Sequence, residues 1–225
     1  MTRWPVYPCA RNWKTGKRAN RETDMPNLYV ALTHYPVVNK SGDIITSAVT
    51  TLDLHDISRA AKTYGVKSFY VVTPLKDQQV LAQRIIAHWT DGTGATYNPA
   101  RRCALETIKV IDSIADVVDD IKAIENQDPK TVVTSARKYP SGISFAKFRI
   151  VLKTVMPHLL VFGTAWGLAE AFISEADYIL EPIKGSTDYN HLSVRTAAGV
   201  IPVSYTHLTL PTTLNSCRSR WSPYH

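Results

Sequence analysis

Short apolar runs recur along the chain, and each ends at a polar or turn-forming residue. Such runs are typical of strands that are buried on both faces of a sheet. They are too short to show a helical period. They predict six strands, at residues 27–33, 68–72, 107–111, 131–134, 159–162 and 178–180.

Between these runs, apolar residues recur at helical spacing. Asp53 is placed to cap the first helix, and Gly65 is placed to end it. Strands and helices alternate without a repeat or a linker, which predicts one α/β domain with a mostly parallel sheet flanked by helices. The same period predicts the other helices, at residues 76–89, 114–125 and 145–152 and from about Asn190 onward.

Glycine-containing loops follow the last two predicted strands. Gly163 and Gly167 come after the fifth strand, and Gly185 comes after the sixth. Carboxyl ends of neighbouring parallel strands form a crevice that holds ligands, and glycine lets the backbone approach them closely. We therefore predict a cofactor crevice there. The segment Gly92–Gly94 follows a helix and lacks the third glycine of a dinucleotide fingerprint, so we predict an ordinary loop.

The formal net charge of +7 and the isoelectric point near 9.3 would fit a protein that binds nucleic acid. Residues 25–201 hold 18 Lys and Arg against 17 Asp and Glu, a net charge of only +1. Nearly all of the excess positive charge therefore lies in the two ends of the chain. Residues 1–24 and 202–225 also lack the periodicity of the rest. We predict a domain at 25–201 with a truncated last helix, a disordered or spurious extension before it, and a non-native tail after it.

Several classes of site have no support in the sequence. No Cys and His spacing is typical of a metal site, and no apolar run has the length of a membrane span. No Gly-x-Ser-x-Gly elbow occurs, which disfavours a serine hydrolase. We expect a cytoplasmic protein without a metal and without a membrane partner.

Three segments resemble the motifs of the SPOUT-class (trefoil-knot) RNA methyltransferases. They are LDLHDISRAAKTYGV, LLVFGTAWGLAEAF and YILEPIKGSTDYNHLSVRTAAGVI. Four further segments indicate one family within this class: HYPVVN, YVVTP, HWTDGTGATYNP and TSAR. The chain from about residue 25 to 201 is similar to the S-adenosylmethionine-dependent RNA methyltransferase family that also occurs fused behind tRNA guanine-N1 methyltransferases.

The resemblance implies a deep C-terminal trefoil knot, although the periodicity alone predicts an unknotted sheet. It further implies a homodimer, S-adenosyl-L-methionine as cofactor, and an RNA substrate, either tRNA or rRNA. Arg59 matches the arginine of the first motif, which helps to position or activate the nucleophile, in related enzymes sometimes across the dimer. The residues implied to bind the cofactor are Thr134, Gly163, Gly167, Glu181, Ile183, Asn190, Leu192 and Ser193.

Two questions stay open at the level of sequence. If a general base is needed, it is either His191 or a phosphate of the RNA. The chain is either an active methyltransferase or a non-catalytic RNA-binding or accessory module that retains the knotted fold. A nucleotide-binding Rossmann protein is disfavoured, because no glycine fingerprint follows the first strand.

Overall fold

The computed structural model describes residues 26–187 and 189–206. The strands within these residues are β1 (Leu28–Thr33), β2 (Val37–Val38), β3 (Ile44–Ile45), β4 (Phe69–Val72), β5 (Ile108–Ile111), β6 (Lys130–Thr134), β7 (His158–Gly163) and β8 (Tyr178–Leu180). The helices are α1 (Thr51–Thr63), α2 (Lys76–Thr90), α3 (Thr93–Tyr97), α4 (Pro99–Leu105), α5 (Ile114–Glu125), α6 (Phe145–Val151), α7 (Glu170–Glu175) and α8 (Val194–Thr206).

A six-stranded sheet in the order β5-β4-β1-β7-β6-β8 forms the centre of the fold. Every neighbouring pair of its strands is parallel. All six predicted strands are present, with each boundary within one residue of the prediction. The predicted α/β class is therefore confirmed. The short strands β2 and β3 pair separately as an antiparallel hairpin.

Helices cover both faces of the sheet, so each strand is buried on two sides. In β1, Leu28, Val30 and Leu32 pack into a core shared with α1, α2, α4, α6 and α8. The alternate residues Tyr29 and Ala31 pack into a second core with α5 and α7. This alternation follows from the two-residue period of a strand, and it explains why the strand sequences are apolar throughout.

Two predicted details of the helices are wrong. Thr50, rather than Asp53, caps α1, because its hydroxyl accepts a hydrogen bond from the backbone N–H of Asp53 at 3.2 Å. The segment Gly92–Gly94 is not a plain loop, since α3 begins at Thr93.

Helix α8 begins later than predicted and extends further. It starts at Val194, after Ser193, whose hydroxyl accepts from the backbone N–H of Thr196 at 3.2 Å. It continues through Pro202 to Thr206, although a proline removes one backbone hydrogen bond inside a helix. Ile201 is buried in the first core, and this packing favours continuation of the helix.

The described residues include neither a membrane-spanning helix nor a cluster of metal ligands. None of their helices is long and apolar enough to cross a membrane. Nor do they contain a group of three or more His, Cys, Asp or Glu side chains arranged to hold a metal ion.

Candidate functional site

A cavity of about 970 Å³ lies at the carboxyl ends of β6, β7 and β8. Its walls come from four separate segments: 47–53 before and within α1, 134–137 after β6, 162–167 at the end of β7, and 180–201 from β8 into α8. Because parallel strands end at the same edge, the fold brings these distant segments together. All eight residues implied to bind the cofactor line this cavity: Thr134, Gly163, Gly167, Glu181, Ile183, Asn190, Leu192 and Ser193.

The loop after β7 folds back tightly against the end of its own strand. A Cβ atom at Gly163 would lie 2.8 Å from the backbone nitrogen of Leu168, so only glycine fits without a shift of the backbone. Gly167 has φ of +112°, and Ala165 has φ of +53°, both in the region that favours glycine. Gly163 is thus required by a contact within the loop itself, which is a stronger constraint than close approach to a ligand.

The same loop is attached to the hairpin strand β2. The backbone N–H of Trp166 donates to the carbonyl of Val38 at 3.0 Å, and the N–H of Val38 donates to the carbonyl of Gly167 at 3.0 Å. These two bonds fix the wall of the cavity that carries the exposed side chain of Trp166.

A chain of buried and half-buried polar groups supports the cavity behind this loop. Nδ1 of His34 is hydrogen bonded to the Ser47 hydroxyl at 2.9 Å, and that hydroxyl is hydrogen bonded to the hydroxyl of Thr164. Thr164 in turn donates to the carbonyl of Thr33 at 3.1 Å. Burial lowers the pKa of His34 to about 4, against a smaller opposite effect of Asp53. His34 is therefore neutral at neutral pH, and the network holds Thr164 in place.

An ion pair joins the two helices that border the cavity. Nε of Arg195 in α8 lies 3.4 Å from Oδ1 of Asp53 in α1, and its Nη1 lies 3.6 Å from Oδ2 of Asp56. Asp53 also accepts a hydrogen bond of 2.6 Å from the hydroxyl of Thr50. The carboxylate that the sequence indicated as a helix cap thus connects α1 to α8.

The segment between β8 and α8 is held to neighbouring segments by hydrogen bonds. The N–H of Glu181 donates to the carbonyl of Ile143 at 3.0 Å, and the side-chain amide of Asn190 donates to the carbonyl of Ala136 at 3.1 Å. On the adjoining strand, the hydroxyl of Thr134 donates to the carbonyl of Val161 at 3.1 Å. These side chains shape the walls. His191 lines the cavity, is exposed, and contacts the ring of Tyr189.

Arg59 does not join the other predicted site residues within one chain. It lies exposed on α1, one helical turn after His55, and does not line the cavity. Residues that were not predicted as site residues also line the cavity, among them Ser47, Ala48, Arg137 and Trp166. Arg137 lies in the TSAR segment and Trp166 lies between two predicted glycines, so position in the sequence could have indicated both.

The sequence of this chain matches a family of known proteins. The sequence model of the SAM-dependent RNA methyltransferases matches residues 27–202. The chain is 42% identical over 185 residues to a tRNA (guanine-N(1)-)-methyltransferase of Oleidesulfovibrio alaskensis, covering 82% of this chain and 43% of that protein. It is 38% identical over 176 residues to an uncharacterized protein of Aquifex aeolicus, covering 78% and 86% of the two chains. The chain thus spans less than half the length of the first of these relatives.

Solved structures share the fold at low sequence identity. A methylase family protein of Neisseria gonorrhoeae superposes with a TM-score of 0.55 at 15% identity, covering 85% of this chain and 86% of the other. A probable methylase family protein of Haemophilus influenzae gives 0.53 at 19% identity, covering 80% and 64%. By the match over nearly all of the described residues, the chain belongs to the family of SAM-dependent RNA methyltransferases.

Proposed function

We propose that this protein transfers the methyl group of S-adenosylmethionine to a nucleotide of tRNA or rRNA. The observation that carries the proposal is the convergence of all eight predicted cofactor residues on one cavity of about 970 Å³. A volume of this order suits a ligand of nucleoside size. The Oleidesulfovibrio alaskensis relative and a second relative of 45% identity, from Nitratidesulfovibrio vulgaris, are both named tRNA (guanine-N(1)-)-methyltransferases, which favours tRNA as the acceptor.

The residues of the cavity fit the proposed cofactor. Apolar side chains of Leu180, Ile183, Ala197 and Ile201 line one part of it and suit a purine ring. Polar groups of Glu181 and Asn190 line it as well and suit ribose hydroxyls. The cofactor supplies an electrophilic methyl group on a sulfonium, so the protein needs mainly to align the acceptor atom with that methyl group.

Arg59 is proposed to act on the RNA rather than on the cofactor. Its guanidinium suits a phosphate or a developing negative charge on the acceptor. Because it is exposed and outside the cavity of its own chain, it would reach the cavity of a second subunit. We therefore propose a homodimer in which α1 and α8 form the contact. His191, exposed at the cavity, and a phosphate of the RNA are the candidate bases.

The trefoil knot, the cytoplasmic location and the domain limits belong to the same proposal. The strand β7 inserts between β1 and β6, and α8, which follows β8, packs against α1, α6 and β7 and lines the cavity. This arrangement supports a knotted C-terminal part. Since α8 continues to Thr206, we place the end of the domain at the end of that helix rather than at residue 201.

Two measurements test the proposed function. Isothermal titration calorimetry with S-adenosylmethionine should show one site per chain, and no binding would exclude a cofactor site. Transfer of a labelled methyl group to total RNA, followed by digestion to nucleosides, should identify the modified nucleotide. Cofactor binding without transfer to any RNA would support a non-catalytic accessory module instead.

A further inference from the structure

A second concavity lies on the other side of α1 from α8, at the end of α2. Its volume is about 460 Å³, and it shares no residue with the cofactor cavity. Its most prominent side chain is Tyr97, which is 87% exposed at the end of α3. The residues that line it are His88, Trp89, Thr93, Gly94, Thr96 and Tyr97.

The two glycines that precede Tyr97 are explained by packing. A Cβ atom at Gly92 would lie 2.8 Å from the carbonyl oxygen of His88, and one at Gly94 would lie 2.7 Å from Cε3 of Trp89. Both glycines are therefore needed for α3 to pack against the end of α2. This packing leaves the ring of Tyr97 in solvent, where it has no role in the core.

Cationic and aromatic side chains contact Trp89, one of the residues that line the concavity. The guanidinium carbon of Arg101 lies 4.7 Å from the centre of the Trp89 ring, a distance typical of a cation–π contact. The rings of His55 and His88 each meet Trp89 edge-on at 5.3 Å. No carboxylate of the described residues is within ion-pair distance of Arg101.

The electrostatic surroundings of His55 show that positive charge gathers at this corner. Burial lowers the pKa of His55, and the charges of Arg101 and Arg59 lower it further. Asp56 acts in the opposite direction, but its carboxylate is already 3.6 Å from Arg195. Nε of Arg101 and Nδ1 of His55 are buried without a hydrogen-bond partner among the described residues.

We propose that this corner, formed by Trp89, Tyr97 and Arg101, binds an unpaired nucleotide of the RNA substrate. A base would stack on the exposed ring of Tyr97, and Arg101 would contact a neighbouring phosphate. Arg59 lies one turn from His55 on the same helix, so the bound strand would lead toward the residue assigned to the acceptor. The inference rests on the proposed function, because it assumes an RNA substrate.

The test measures RNA and cofactor binding on the same set of full-length variants. Fluorescence anisotropy with a labelled single-stranded RNA of mixed sequence and with total tRNA gives the RNA affinity, and calorimetry gives the cofactor affinity. Tyr97→Ala should weaken RNA binding about tenfold, the scale of one lost stacked base. Tyr97→Phe keeps the ring and should stay within about twofold of the wild type.

Arg101→Gln should weaken RNA binding and reduce the salt dependence by about one phosphate contact. Lys147→Gln, an exposed residue of α6 on another part of the surface, removes the same charge and is the matched control. It should leave RNA binding unchanged. Cofactor affinity should be unchanged in every variant, because none of these residues lines the cofactor cavity.

The outcomes separate this inference from the proposed function. If the wild type binds and methylates RNA while Tyr97→Ala binds RNA equally well, the inference fails and the proposed function stands. If the wild type binds no RNA, both fail. If Tyr97→Ala alters the oligomeric state in sedimentation without altering RNA affinity, the corner is a contact between copies of the chain, and the inference is again wrong.

Discussion

Arg195 and Asp53 form the ion pair that connects the last helix of the fold to the first. Nε of Arg195 lies 3.4 Å from Oδ1 of Asp53. The side chain of Asp53 is only 10% exposed, and that of Arg195 is 34% exposed. Because residues of both α1 and α8 line the cavity proposed for the cofactor, this pair positions one of its walls.

Loss of Arg195 should loosen that wall. Arg195→Leu leaves the buried Asp53 without its cation, and we expect the free energy of unfolding to fall by about 1–2 kcal/mol, less than for a fully buried pair. Cofactor affinity should fall as well. Urea titration and calorimetry measure the two effects, and Arg195→Lys should restore part of each. An unchanged unfolding midpoint in Arg195→Leu would show that the pair does not hold α8.

Gly163 should not tolerate a methyl group. In Gly163→Ala the new Cβ would meet the backbone nitrogen of Leu168, so we expect a loss of about 1–3 kcal/mol in stability and weaker cofactor binding. Gly199→Ala is the matched control, because a Cβ there meets nothing within 4 Å. In the middle of α8 it should stabilise the protein by about 0.5–1 kcal/mol. Equal stability of the two variants would contradict the assigned role of Gly163.

Arg59 should act in the partner's cavity. Arg59→Ala should retain cofactor affinity and lose most methyl transfer, because the residue lies outside the cavity of its own chain. Refolding a mixture of Arg59→Ala and Gly163→Val chains gives mixed dimers with one intact site each. If the site is shared, activity should return to about a quarter of the wild type, as a symmetric dimer predicts. No recovery in a mixture that contains dimers would place Arg59 in a site within one chain.

His34 should make stability depend on pH. In the unfolded chain a histidine takes up its proton near pH 6.5, but His34 in the folded protein does so only near pH 4. The contribution of His34 to the free energy of unfolding is therefore fully present above pH 6.5. It is lost as the pH decreases toward 4, which lowers the free energy of unfolding by about 3 kcal/mol. His34→Asn keeps a hydrogen-bond donor toward Ser47 but does not titrate. It should therefore reduce the change in the free energy of unfolding between pH 5 and 7. His191→Asn, an exposed control, should not change it.

Truncation of the chain should be harmless after Thr206 and harmful before α8. If the residues after it are a non-native tail, a chain ending at Thr206 should melt at the same temperature as the full chain. A chain ending at Leu192 lacks the buried Ala198 and Ile201, so its melting temperature and cofactor affinity should both fall. A clear loss of stability on removing residues 207–225 alone would show that they belong to the domain.

The strands and the longer helices could be predicted because their signals are local. An apolar run such as 159–162 indicates a buried strand wherever that strand lies in the sheet. The helices α3 and α7 were missed, since five or six residues hold too few turns to show a period. Helix α4 was missed because it is capped by Asn98 and begins at Pro99, a pair that also marks loops. The insertion of β7 between β1 and β6 depends on contacts between residues far apart in sequence, and no local pattern contains that information.

The cavity that we propose for the cofactor could be located from the sequence because carboxyl ends of parallel strands meet at one edge. Thr134, Gly163 and Glu181 each follow or end such a strand, and they line one cavity. The placement of Arg59 outside it depends on the rotation of α1 about its axis. That rotation is set by Leu54 and Ile57 packing into the core, and Asp53 then faces Arg195.

The four segments that line the cavity extend from residue 47 to residue 201. On the ribosome, this cavity therefore remains incomplete until nearly all of this sequence has left the exit tunnel. The proposed ligand S-adenosylmethionine cannot guide the early folding of the nascent chain, because the cavity does not yet exist. It can only stabilise the finished protein, and it does so in proportion to the logarithm of its concentration above the dissociation constant.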